Sequence, residues 1–352
     1  MHRFIGINSF ALSSTKQLAV VTGTSPFIDV YDFKNTGFGT KFANPGTLPG
    51  DPNDVDFNKA GNVIAVAEGL SPYIGAYPWV GAGSGFGTKF SNPATLPNFS
   101  GTRITFNTAD NVIAMSEFNS PFIHAYVWNN STGFGTKFAN PATLPTSNGL
   151  CIAFTKADNA IAVGESFNVA ERISAYVWNN STGFGTRYSD PASLPGRTVR
   201  GVEFNTANNV ALLGSDVSTG GGYVAAYAWT SGSGFGTRFA DPATFTGDQT
   251  RNVAIKATDD AVAIAHRSSP FVSAYPWSNS TGFGTKYADP ATLPGSNRAF
   301  DVDFTNDAIA VAHQDSPFLT AYPFNSGTGF GTKYANPATL PGSTGLGVSF
   351  SS

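Results

Sequence analysis

The sequence predicts an all-β protein, a seven-bladed β-propeller with four antiparallel strands in each blade. Three observations carry this expectation. The motif Gly-Phe-Gly-Thr-(Lys/Arg)-(Phe/Tyr) begins seven times, at Gly37, Gly85, Gly133, Gly183, Gly234, Gly282 and Gly329. Successive starts lie 48, 48, 50, 51, 48 and 47 residues apart, and a fixed period of this size marks a repeat architecture. Each unit is made of short strand-forming runs separated by turn residues, the pattern of a four-stranded blade.

The unit over residues 54–101 shows the plan. Val55-Asp56-Phe57 alternates apolar and polar and predicts a first strand, followed by a turn at 58–62. Val63-Ile64-Ala65-Val66-Ala67 is apolar throughout and predicts a second strand buried on both faces. Ser71-Pro72 interrupts the chain before a third strand over 73–79. Gly81 to Gly87 reads as a hairpin loop, with Thr88-Lys89-Phe90 as a short fourth strand. Asn92-Pro93-Ala94-Thr95 reads as a capped turn leading to the next unit.

The first strand recurs at 104–106, 152–154, 202–204, 253–255 and 302–304. Val348-Ser349-Phe350 is a further copy, within an extra inner strand expected at 346–350, and Phe10-Ala11-Leu12 competes with it for closing the ring. The third-strand tyrosine occurs seven times, and all five tryptophans stand two places after it, with Phe33 and Phe324 in that slot at the two ends. Residues two apart share a strand face, so these aromatics are expected between blades. No linker interrupts the series, so residues 1–352 are expected to form one domain.

Charged residues make up 12% of the chain and the net charge is −3, which gives no general attraction to nucleic acid or membrane. The lone Cys151 falls in a strand slot and reads as a buried thiol. The start carries no long apolar run, so neither a signal peptide nor a membrane span is expected.

Several positions invite a functional reading. Lys41, Lys89, Lys137, Arg187, Arg238, Lys286 and Lys333 are equivalent and predict a ring of positive charge on the outer strands, where basic residues also protect a free sheet edge. The second strand closes on Glu68, Glu117, Glu165, Ser215, His266 and His313, an asymmetric set on one face. Asp54, Asp56, Arg103, Glu203, Asp301 and Asp303, with Arg200 and Arg251, belong to segments entering the first strand, so they are expected around the axis as channel charges. Phe167, Asn168, Glu171, Arg172, Asp216 and Tyr223 belong to two irregular loops, the expected place for recognition. The Gly-rich stretches lack the Lys-Ser or Lys-Thr that closes a phosphate loop, and the four histidines lack metalloprotease spacing. No catalytic residue, cofactor or metal is assigned.

The combination Val-x-Phe, apolar strand, Ser-Pro-Phe-(Ile/Val)-x-Ala-Tyr and Gly-Phe-Gly-Thr-Lys-(Phe/Tyr) is similar to WD-like and YVTN-type propeller repeats, without the Trp-Asp and Gly-His signatures of true WD repeats. The wording Ser-Pro-Phe-x-x-Ala-Tyr-Pro-Trp followed by Thr-Gly-Phe-Gly-Thr-Lys-Tyr-Ala-Asn-Pro-Ala-Thr-Leu-Pro resembles repeat proteins of environmental tailed bacteriophages. The resemblance carries no catalytic residues. It implies a non-enzymatic structural or adhesion protein of a phage virion, made in the host cytoplasm. Its expected partners are other virion proteins, copies of itself, or a host glycan or receptor. A carbohydrate-binding propeller is the alternative expectation, and a hydrolase using channel carboxylates the third.

Overall fold

The computed structural model describes residues 16–81, 83–166, 172–217, 223–245 and 247–351. They form a ring of seven antiparallel blades, each running from an inner strand at the axis to an outer strand at the rim. Blade one orders its strands Gly345–Phe350, Lys16–Thr22, Ile28–Lys34 and Gly37–Lys41. Blades two to seven have their inner strands at Pro52–Phe57, Gly101–Phe106, Gly149–Phe154, Arg197–Phe204, Thr250–Ile255 and Ala299–Phe304, and each then proceeds outward in chain order. No helix among the described residues is long and apolar enough to cross a membrane.

The C-terminal copy closes the ring among the described residues. Leu18 pairs with Phe350 and Val20 with Val348, so the last strand completes the blade that the first described strand begins. The competing segment Phe10-Ala11-Leu12 lies outside the described residues.

The second strands are mostly apolar and buried, as over Val63–Glu68 and Ala261–His266, because a neighbouring blade covers each face. The aromatics fill the wedges between blades. Trp128 meets Phe106 and Phe134 of its own blade and Phe90 of the preceding one, with ring centroids 5.4, 5.0 and 5.2 Å away in edge-on geometry. The first glycine of the repeated motif is needed here. Gly133 adopts φ 82°, and a Cβ on it would stand 2.9 Å from Phe90.

All seven third-strand tyrosines are fully buried, and six hydroxyls donate to a carbonyl in the linker that follows the preceding blade. Tyr126 reaches Thr95 at 3.0 Å and Tyr176 reaches Thr143 at 2.9 Å. This explains why the tyrosine and the Asn-Pro-Ala-Thr linker recur together. Tyr176→Phe removes one such hydrogen bond between neighbouring blades. The variant should lose about 1 kcal/mol of stability, read as a lower urea midpoint at unchanged slope.

The fourth strand differs from expectation. It is not Thr88-Lys89-Phe90 and its equivalents after a glycine loop; the strand begins on the motif's first glycine, as in Gly133–Lys137. Pairing of Phe134 with Trp128 sets this register. Its length follows one residue of the third strand. Where Asp32, Val127, Val177 or Ala228 follows the tyrosine, the fourth strand has five residues. Where Pro78, Pro276 or Pro323 stands there, it shrinks to a single Trp79–Phe86 bridge or to two residues. Proline has no N–H to donate, so the ladder stops.

Candidate functional site in the axial channel

The inner strands enclose a cavity of about 770 Å³ along the axis. Asp54, Asp56, Arg103, Glu203, Asp301 and Asp303 all line it. The carboxylates do more than face water. Asp54 accepts from the Ile104 amide at 2.9 Å and Asp56 from Phe106 at 3.1 Å. Glu203 accepts from Ile255 at 2.9 Å, and Asp301 and Asp303 accept from Val348 and Phe350 at 2.9 and 2.8 Å. Each acid thus caps an amide on the inner strand of the next blade, tying neighbours together around the axis. Ser349 does the same for Phe57 at 3.2 Å.

Arg103 bridges the channel. Its Nη1 lies 2.8 Å from Asp54 Oδ1 and 3.0 Å from Asp301 Oδ2, joining blades two, three and seven. Burial disfavours its charge, but Asp301 and Asp54 outweigh that, so its proton is held more tightly than usual. Asp54 is pushed up to about 6, chiefly by burial, with Arg103 opposing.

Farther along the inner strands, Asp56, Glu203, Asp303 and Lys156 share one stretch of the cavity. Burial pushes Asp56 up to about 8 against the Phe106 amide, with Asp54 and Asp303 adding to the rise. Burial pushes Asp303 up to about 7 against the Phe350 amide, with Glu203 adding. Glu203 is raised by burial, with Lys156 opposing. The Lys156 ammonium lies 3.4 Å from Glu203 Oε1. Crowding by the channel wall works against its charge although the side chain is 42% exposed, and Glu203, Asp56 and Asp303 together raise its proton affinity. Sequence reasoning missed Lys156, because a lysine in a turn reads as solvated. The available signal was its position two residues beyond the inner strand Gly149–Phe154.

The other sequence candidates sit elsewhere. The rim bases are mostly paired locally: Lys41 with Asp29 at 2.8 Å, Arg187 with Asp190 at 2.7 Å, and Lys286 with Asp289. Glu68, Glu117 and Glu165 are buried anchors that accept linker amides, such as Asn98 and Phe99 on Glu117 at 3.0 Å each. His266 and His313 hold Ser273 and Thr320 at 3.0 and 2.9 Å. Of the two irregular loops, Phe167, Asn168 and Glu171 lie outside the described residues. Arg172 bonds the Pro195 carbonyl, Asp216 takes Arg200 at 2.7 Å, and the Tyr223 ring lies 5.9 Å from Phe245.

No protein-family profile and no curated protein sequence matches the chain. Solved structures share the ring. The chain is similar to a candidate 6-phosphogluconolactonase from Bacteroides fragilis, at TM-score 0.76 and 14% identity over 96% of this chain and 98% of that one. A second protein of that name, from Bacteroides uniformis, aligns at TM-score 0.71 and 14% identity over 96% and 99%. A functionally unknown protein from Desulfotomaculum acetoxidans aligns at TM-score 0.68 and 12% identity over the same shares. At such identities the likeness shows the fold. The names nevertheless correct the expectation of a non-enzymatic virion or adhesion protein, since two chains sharing this ring are named for an enzyme. The physical reason for the error is plain. The sequence places Asp56, Glu203 and Asp303 around the axis, but it does not show their raised proton affinities or that ring closure sets a lysine beside them.

Proposed function

We propose that the axial channel is the site of a hydrolase acting on a small hydrophilic ester or lactone. The observation that carries this reading is the convergence of Asp56 and Asp303 with Lys156 in one cavity, with the two acids titrating near neutrality. General acid–base catalysis works best when the pKa lies close to the working pH. Near neutrality Asp303 is partly ionised and suited to drawing a proton from water. Asp56, holding its proton to about 8, is suited to protonating the departing alkoxide. Lys156 stays charged and supplies positive potential to the oxyanion that forms in between. The names of the similar structures favour a sugar lactone as substrate. The repeat wording supports descent from WD-like, YVTN-type repeats of the kind seen in tailed bacteriophages.

The test is hydrolysis of 6-phosphogluconolactone and gluconolactone by the intact chain. The rate should rise as pH passes about 7, where Asp303 ionises, and fall past about 8, where Asp56 loses its proton. Asp303→Asn should lower kcat by about 10²–10⁴-fold. Equal activity in this variant, or no hydrolysis above the uncatalysed rate on either lactone, would refute the assignment.

A further inference from the structure

A second group of charges stands on the face where the inner strands of blades five to seven begin. Arg200 and Arg251 lie on the inner strands Arg197–Phe204 and Thr250–Ile255, and Arg298 stands one residue before Ala299–Phe304. Arg267 follows the second strand of blade six. The Gln249 amide oxygen gathers two of these, lying 3.4 Å from Arg251 Nη2 and 3.3 Å from Arg267 Nη1. Arg298 lies over the Phe300 ring at 6.0 Å.

Negative charge is short here. Asp216 is engaged by Arg200 Nε at 2.7 Å. Asp315 takes the Ser296 hydroxyl at 2.6 Å, and Asp248 acts on His266, while one oxygen each of Asp216 and Asp248 is buried without a hydrogen-bond partner among the described residues. Arg251 Nε and Arg298 Nε are shielded from solvent and find no hydrogen-bond partner among the described residues. Burial lowers the proton affinity of Arg251, to about 10; Arg200, Arg298 and Arg267 lower it further, and Asp216 opposes them. Crowded guanidiniums repel one another unless an anion sits among them. Their planar forks match the oxygens of phosphate.

We propose that Arg200, Arg251, Arg267 and Arg298 form a binding site for a phosphate oxyanion, free or carried as a monoester on a small metabolite. The site uses different residues from the channel acids and does not depend on their catalytic reading. Thermal melts and calorimetry on the intact chain test it, with inorganic phosphate and a hexose 6-phosphate as probes and sodium chloride at matched ionic strength as reference. Phosphate should raise Tm saturably beyond the chloride effect. Arg267→Ala removes an exposed side chain and leaves the fold intact. Arg251→Lys keeps the charge and loses the fork. Each should weaken binding about tenfold or more, since each removes a charge-assisted hydrogen bond. Lys34→Ala on the rim should leave it unchanged. Tighter binding of the hexose phosphate identifies a metabolite as the ligand, and equal or weaker binding identifies the free ion. A chloride effect as large as that of phosphate, or unchanged affinity in both arginine variants, would overturn the site.

Discussion

Deleting residues 345–352 should abolish the cooperative unfolding transition or lower the denaturant midpoint severely. The segment supplies the inner strand of blade one, and Val348 and Phe350 are buried in the cluster containing Leu18, Tyr31 and Phe33. Burying two such side chains contributes roughly 3–6 kcal/mol. The strand also brings the amides that Asp301 and Asp303 cap, at 2.9 and 2.8 Å. Without it those buried acids lose a donor each and blade one exposes an apolar edge. Total stabilities of folded domains are about 5–15 kcal/mol, so a loss of this size leaves little. Guanidinium unfolding followed by tryptophan fluorescence reads the outcome. An unchanged midpoint would show that the strand does not hold the ring shut.

Arg103→Met should be the most damaging single substitution in the channel. It leaves Asp54 and Asp301, with side chains 8% and 3% exposed, facing each other without a cation. Breaking a buried ion pair from one side costs about 3–5 kcal/mol. The pH dependence has a definite sign. Asp54 already binds its proton more tightly in the folded protein than its usual 3.8, and losing Arg103 widens that gap. The folded state then holds more protons than the unfolded one, so stability falls as pH rises through the window between the two values. The variant should therefore lie furthest below the parent at pH 8 and approach it toward pH 4. Adding Asp54→Asn and Asp301→Asn should recover part of the loss at pH 8. Equal midpoints for Arg103→Met and the parent at pH 8 would show that the bridge is not holding the blades.

Much of this was legible because repetition averages out local ambiguity. One Val-x-Phe is a weak strand signal, but copies at equivalent places in successive units are a strong one. The repeated Tyr and Trp read correctly as interblade packing. The fourth strand read incorrectly because the motif's glycines resemble loop residues; a positive φ at Gly133 and a close approach to Phe90 make the glycine a strand opener. The channel was half legible. Asp56 and Asp303 could be placed at the axis from their slot, but not their shifted titration, which comes from burial and mutual repulsion across blades far apart in the chain. Lys156 reaches Glu203 from a turn 47 positions earlier, and no local pattern announces such a contact. The arginine cluster likewise joins residues from several units that are unremarkable one by one.

The seam in blade one also sets a timetable. Leu18 and Phe350 are paired across nearly the whole polypeptide, so this contact is highly non-local. Pairing between distant segments is slow, because the loop between them must be closed before the contact rewards it. During synthesis the strand Lys16–Thr22 waits for a mate that is made only after the strands of the six other blades. The six other blades draw their strands from continuous stretches and can assemble meanwhile, leaving the unfinished one as the exposed edge of an open arc. An edge of that kind is where chains associate wrongly. The most dangerous moment in the life of this protein is therefore the interval just before its final strand docks.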